Sequence, residues 1–202
     1  MINAVLFDLD GVLLDSFEAW ASVVDAAARH FGHAPVTIEA FRAIYGQPTQ
    51  SDVDHFMPGE TVEAVEAYYE AHFAEHASAA RVAPGAPELL AALEQRGVPT
   101  AVVTNTPSAL ARQMLEAASL IPNAVVGGSD VAKPKPAPDI VFRACEVLGV
   151  EPWDALVVGD SASDKQAAAA AGAPFAGVGG LQGNYTLTEL RQVLDVVEGT
   201  FA

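Results

Sequence analysis

Four short clusters hold the residues whose types and spacing could do chemistry. Asp8 and Asp10 stand two apart at the end of an apolar run, with Gly11 next. Alternation along an extended segment aims both carboxylates the same way. Two carboxylates that close are costly unless a cation or a proton relieves them. Thr104-Asn105-Thr106 offers a hydroxyl and an amide that can hold a phosphate oxygen. Lys133-Pro134-Lys135-Pro136 contains two of the only three lysines in the chain, presented between prolines that stiffen the backbone. Gly159-Asp160-Ser161-Ala162-Ser163-Asp164 adds two more carboxylates one helical turn apart, hard oxygen ligands suited to Mg²⁺. Each cluster alone also has a plainer reading. The Asp pair can cap a helix, Thr106 or Ser108 can cap the helix that follows, the lysines can be a solvated pair, and Asp164 can face a helix dipole.

The elements around the clusters weigh against the plainer readings. Short apolar runs at 4–7, 100–104, 124–126, 155–158 and 175–178 read as strands, nearly continuous in hydrophobicity. Helical patterns at 87–95, 108–118, 139–148 and 162–171 separate them. Buried strands alternating with helices predict an α/β fold, a doubly wound parallel sheet covered on both faces. Such sheets gather their ligands beyond the carboxyl ends of the strands, and each of the four clusters lies at such an end. Carboxylates, a hydroxyl and a lysine then converge on one crevice, which is the inventory for binding Mg²⁺ and a phosphate group together.

One interval breaks the alternation. Between residues 17 and 80 the pattern is helical at 17–31, 38–45, 50–56 and 61–77, punctuated by Gly32, Gly46 and Pro58-Gly59. Four helices after the first strand exceed a simple crossover and predict an inserted all-helical cap. The division is then a core of 1–16 plus 81–202 and a cap of 17–80, with hinges near 13–16 and 79–84. A last helix is expected over 186–197, with Thr186 as its N-cap and Glu189 three residues on.

Composition narrows the function. The chain has 202 residues, half of them apolar, enough for a buried core. With 26 acidic and 10 basic residues its formal net charge is −16, which excludes a nucleic-acid grip built on Lys and Arg. A single cysteine, Cys145, makes no internal disulfide and reads as a packed thiol on a helix. No run reads as a signal peptide or a membrane span, so a cytoplasmic protein without a membrane partner is expected. Oligomeric state is not legible.

Taken together, the chain resembles the haloacid dehalogenase superfamily, in its phosphatase branch with a helical cap, similar to phosphoglycolate phosphatase and β-phosphoglucomutase. The resemblance rests on Asp8-Leu9-Asp10-Gly11-Val12-Leu13-Leu14-Asp15-Ser16, Thr104-Asn105, Lys135-Pro136-Ala137-Pro138-Asp139 and Gly159–Asp164, in order along the whole chain. It implies a Mg²⁺-dependent phosphatase that hydrolyses a small phosphorylated metabolite through an aspartyl-phosphate. Asp8 would be the nucleophile and Asp10 the general acid and then base. Thr104 would bind the phosphoryl group with the backbone amides of Leu9, Asp10 and Asn105. The motif lysine would neutralise charge; Lys135, 25 residues before Asp160, fits the family spacing, with Lys133 as the alternative. Asp8, the Asp10 carbonyl, Asp160 and Asp164 would serve the metal.

Departures from family patterns separate the rival activities. A dehalogenase would lack the second acid, present here as Asp10. A phosphonate-cleaving relative would take a Schiff-base lysine from the cap, and residues 17–80 contain none. A sugar phosphomutase of the β-phosphoglucomutase type would place a histidine ten residues after Asp10, where Trp20 stands, and an acid where Gly159 stands. Hydrolysis is favoured, with the mutase as the alternative. A phospho-accepting receiver is shorter and lacks a lid, and a silent phospholigand-binding relative would not need the intact acids. In the cap, Trp20, Arg42, Tyr45 and Gln47 are the candidate substrate contacts. All five histidines also lie there, and His72 and His76, one turn apart among glutamates, read as surface residues.

Overall fold

The computed structural model describes residues 1–201. In chain order, β1 (Ala4–Phe7) is followed by a two-residue strand β2 (Leu14–Asp15), then α1 (Phe17–His30), α2 (Ile38–Arg42), α3 (Thr49–Phe56) and α4 (Val62–His76). The short strand β3 (Arg81–Val82) returns the chain, and α5 (Ala86–Gln95), β4 (Thr100–Val103), α6 (Ser108–Ala117), β5 (Ala124–Val126) and α7 (Asp139–Leu148) follow. β6 (Ala155–Gly159), α8 (Ala162–Ala171), β7 (Phe175–Gly177), β8 (Tyr185–Thr186) and α9 (Val193–Glu198) complete it.

Six strands form one parallel sheet in the order β5-β4-β1-β6-β7-β8. β1 lies near the middle because every residue of its Ala-Val-Leu-Phe run is buried, and β4 and β6 are buried throughout on either side. Helices cover both faces, and two apolar clusters follow from that. One holds Val5, Phe7, Val102 and Leu156 against α5, α6 and α9; the other holds Leu6, Ala101, Val103 and Val157 against α7 and α8. Parallel register sets the functional end of the sheet. Phe7 pairs with Val102 and with Val158, so Asp8, Thr104 and Asp160 emerge together just past the strand ends. Local signals fix the helices that follow. α7 and α8 stop at Gly149 and Gly172, both in the left-handed region with φ 68° and 73°.

α1 to α4 stand between β2 and β3, which pair antiparallel through Leu14–Val82 and Asp15–Arg81 and tie the two connectors of the cap side by side. Inside the cap, α1 and α4 bury Val23, Val24 and Ala27 against Val65, Tyr69 and Phe73. The Trp20 ring meets Tyr69 edge-on at 5.4 Å. The same apolar cluster runs from the sheet face through Val12, Leu13 and Leu14 into the cap. Among the described residues, no helix is long and apolar enough to cross a membrane. Cys145 is buried, and burial pushes its thiol up to about 11.

The C-terminal expectation needs correction. Thr186 does not cap a helix; Tyr185–Thr186 adds a sixth strand to the open edge of β7. The Gln192 side chain then accepts from the amides of Thr188 and Glu189, so the chain turns through Leu190–Gln192 and α9 starts only at Val193. An edge strand of two residues carries no period to read in sequence. In the cap, α2 also ends at Arg42 rather than continuing to residue 45, because the backbone turns toward Gly46 at φ 80°.

Leu156 on β6 is fully buried. Leu156→Ala should therefore cost about 2–5 kcal/mol of stability, read as a lower urea midpoint with unchanged slope. A loss below about 0.5 kcal/mol would mean that the sheet face is not close-packed there.

Candidate active site

The crevice between sheet and cap is built on one buried ammonium. Lys135 is 2% exposed, and its Nζ lies 2.8 Å from Asp8 Oδ1 and 2.6 Å from Asp164 Oδ1. It also donates to the carbonyl of Val103 at 3.0 Å. Its backbone is fastened by Asn105, whose Oδ1 accepts from Lys135 N–H at 2.9 Å and whose Nδ2 donates to the Lys135 carbonyl at 3.1 Å. Lys133 is exposed. Burial alone would lower the Lys135 pKa, but Asp164 and Asp8 outweigh it and raise it, so the side chain stays charged.

Asp8 follows β1 and is nearly buried. Its Oδ1 accepts from Leu9 N–H at 2.8 Å as well as from Lys135. Burial first, then Asp164, hold its carboxyl well above the ordinary range, with Lys135 opposing them. Asp164 belongs to the first turn of α8. Its Oδ2 accepts from the Ser161 N–H at 3.0 Å, and the Ser161 hydroxyl in turn accepts from the Asp164 N–H, a capping box that locks the carboxylate in place. Gly159 is required beside it, since a Cβ there would stand 2.4 Å from the Asp164 Cβ. Asp160 is pushed up to about 6 by burial and then by Asp164. Gly11, at φ 82°, leaves the space that Asp160 fills, because a Cβ there would lie 2.0 Å from Asp160 Oδ2.

Oxygens of Asp8, Asp160 and Asp164 lie within 4.8 Å of one another, and this is the one such cluster among the described residues. Three carboxylates against one ammonium, two of them with raised pKa, fit a divalent cation. The donor set is all oxygen, which suits a hard ion. Both oxygens of Asp164 already serve protein donors, which places it behind Asp8 and Asp160 in such a site.

Asp10 is arranged differently. Its Oδ1 accepts from the Ser16 hydroxyl and from the Trp20 indole N–H at 2.9 Å, and its Oδ2 from the Thr106 hydroxyl at 2.8 Å. The side chain thus takes one donor each from the cap, the connector and the core, and it lines the crevice together with Asp8. Thr104 is buried, and its Oγ1 accepts from Thr106 N–H at 3.1 Å. The Asn105 Nδ2 also donates to the Gly46 carbonyl at 3.0 Å, a direct link from core to cap. Ser16 and Thr106 were visible in the sequence only as a motif end and a helix cap; that both would donate to Asp10 was not.

The cap candidates are placed unequally. Trp20 reaches Asp10, and the Tyr45 hydroxyl lies 3.0 Å from Ser16 Oγ. Gln47 lines the crevice mouth. Arg42 is exposed, with its guanidinium 4.0 Å over the Phe17 ring, and does not line the crevice. His72 pairs with Glu75 on the cap surface, outside any metal-holding group among the described residues. The crevice is small, with a volume of ≈ 40 Å³, and Thr49, Asp52 and Ile44 also line it. No local pattern marks Asp52, which reaches the crevice because α3 packs against α4.

The profile of the haloacid dehalogenase-like hydrolases matches residues 5–178. Phosphoglycolate phosphatase 1 of Pseudomonas aeruginosa is 34% identical over 83% of this chain, which spans 66% of that enzyme's length. Phosphoglycolate phosphatase of Nitrosospira multiformis is 33% identical over 85% of this chain and 80% of its own. A haloacid dehalogenase-superfamily hydrolase of subfamily IA from Geobacter sulfurreducens superposes with a TM-score of 0.80 at 30% identity, over 97% of this chain and 100% of that one.

Removing the ammonium isolates the cost of this arrangement. Lys135→Met should destabilise the metal-free protein by about 3–5 kcal/mol at neutral pH, because two buried carboxylates lose their counter-charge. The raised Asp8 carboxyl destabilises the folded chain while ionised. The deficit should therefore narrow as pH falls through the raised Asp8 value toward the ordinary carboxylate range. Chemical unfolding across pH measures it, with exposed Lys133→Met as the control expected within about 0.5 kcal/mol of the parent.

Proposed function

The chain belongs to the haloacid dehalogenase-like hydrolases, and on that premise we propose that it is a Mg²⁺-dependent phosphatase acting on a small phosphate monoester through an aspartyl-phosphate. The observation that carries the reading is the pairing of Asp8 with Lys135 beside Asp160 and Asp164, with Asp8 and Asp10 lining one crevice together. In this reading residues 1–16 and 81–202 form the catalytic core and residues 17–80 the cap. The reading takes the enzyme as cytoplasmic, without nucleic-acid or membrane partners; the formal net charge of −16 disfavours a nucleic-acid grip.

Mg²⁺ held by the carboxylates of Asp8 and Asp160 and the Asp10 carbonyl, with Asp164 behind them, would neutralise charge on the transferring phosphoryl group. The protein supplies the remaining steps. Lys135 and the Leu9 amide fix Asp8 Oδ1, so one carboxylate oxygen is oriented for in-line attack on phosphorus. The Thr104 hydroxyl and nearby amides hold the phosphoryl oxygens. As the bond to the leaving oxygen breaks, protonated Asp10 gives that oxygen its proton. Asp10, now a carboxylate, takes a proton from water as the water attacks phosphorus. The bond to Asp8 breaks and inorganic phosphate leaves. Trp20, Ser16 and Thr106 orient Asp10 through both half-reactions. Trp20 occupies the place of a mutase's histidine, which favours water over a sugar hydroxyl as the second acceptor.

Asp8→Asn keeps the shape but gives up the nucleophile. Turnover of acetyl phosphate should fall on the order of 10³-fold or more with the fold intact, and radiolabelled phosphate should no longer be trapped on the protein in acid. Wild-type-like rates in this variant would remove Asp8 from the nucleophile's role.

Chelation should abolish activity, Mg²⁺ should restore it, and Ca²⁺ should restore it poorly. Ca²⁺ tolerates more and looser oxygen ligands than the near-octahedral Mg²⁺, so it can engage both oxygens of Asp8. Equal rates in the two ions, with both shown to bind by their thermal stabilisation, would contradict this role for the carboxylates.

A further inference from the structure

The cap side of the crevice has no positive charge. None of its lining residues is Lys or Arg, and the cap's two arginines are used elsewhere. Arg29 pairs with Asp25 at 2.9 Å on the surface, and Arg42 lies on the Phe17 ring. Lys135 is enclosed behind Asp8. What the cap does contribute is a carboxyl, Asp52, on the same wall as Tyr45, Gln47 and Thr49. Its Oδ2 accepts from the hydroxyl of fully buried Tyr69 at 3.0 Å, which fixes the side chain. Its Oδ1 takes no hydrogen bond from any described residue, and Asp52 is among the residues that line the crevice.

We propose that Asp52 selects the leaving group: the substrate presents a hydrogen-bond donor, a hydroxyl or an ammonium, to Asp52 Oδ1, and a carboxylate at that position is rejected. The inference rests on the phosphatase reading and names its substrate class. A substrate carboxylate would enter a small crevice with no cation to pair with and a like charge beside it, and both raise its cost. A donor group does the reverse, since it supplies the partner that Asp52 Oδ1 lacks. Burial pushes the Asp52 carboxyl up to about 7, with the Tyr69 hydrogen bond and nearby His55 opposing the rise, so the carboxylate form dominates above that pH. Trp20 and Tyr45 also line the crevice, and such apolar rings suit an aliphatic stem bearing either donor.

A matched series of two-carbon esters tests this on the full chain with Mg²⁺ at about pH 8. The compounds are 2-phosphoglycolate, 2-hydroxyethyl phosphate and 2-aminoethyl phosphate, with acetyl phosphate as the general phosphatase substrate. For the wild type, kcat/KM should be higher for the hydroxyl or the ammonium ester than for 2-phosphoglycolate by on the order of 10-fold or more. Asp52→Asn keeps a carbonyl oxygen for Tyr69 and removes the charge. It should shrink that ratio by a similar factor, mainly by raising the rate on 2-phosphoglycolate. If Asp52→Asn penalises the aminoethyl ester most, the natural group is an ammonium; if it spares the aminoethyl and hydroxyethyl esters alike, the group is a hydroxyl. Acetyl phosphate turnover with 2-phosphoglycolate preferred among the esters, or an Asp52→Asn protein with an unchanged ratio, overturns the inference and leaves the phosphatase reading standing. No turnover of any of the four overturns both. The wild-type ranking decides the matter even if Asp52→Asn fails to fold.

Discussion

The site depends on one buried cation held between two buried anions. Lys135 sits 2.8 Å from Asp8 and 2.6 Å from Asp164, and none of the three could remain charged at that depth alone. The arrangement constrains the surrounding backbone. Gly159 must lack a side chain to let Asp164 approach, Asn105 must grip both backbone groups of Lys135, and α8 must start where Ser161 and Asp164 cap each other. The triad is still one charge short. Asp160 adds a fourth member whose carboxyl is already pushed up to about 6, and a divalent ion is the simplest group that relieves such a set.

Asp10 couples this centre to the cap. Of its three hydrogen-bond donors, Thr106 comes from the core, Ser16 from the connector and Trp20 from α1. The Gly46 carbonyl meets Asn105, and Asn105 holds Lys135. Positioning of the acid and of the ammonium is therefore tied to where the cap rests. A cap displaced at its β2–β3 connectors would lose the Trp20 and Gly46 contacts, and the crevice would assemble fully only when covered.

The sheet and its helices were readable because their signals are local. Strands buried on both faces appear as unbroken apolar runs, and β1 and β5 match the sequence reading residue for residue. α7 and α8 do likewise, since Gly149 and Gly172 terminate them and Ser161 starts the latter. The C-terminal stretch misled for the converse reason. Tyr185–Thr186 is a strand only because β7 offers it an edge, and Gln192 delays α9 by capturing two amides.

The candidate chemistry was legible to the extent that it sits on strand ends, where topology alone brings residues 8, 104, 135 and 160 into one place. The sequence by itself determined the α/β core, the helical insertion and the four polar clusters, because backbone period and local caps encode them. The tertiary structure decided the partners. That Thr106 and Trp20 both serve Asp10, that Asn105 reaches Gly46 across 59 residues, that Arg42 turns onto Phe17 and that Asp52 faces the crevice depend on packing between segments far apart in the chain. Side-chain direction in such contacts is set by what the neighbouring element leaves open, and no short-range pattern carries that information.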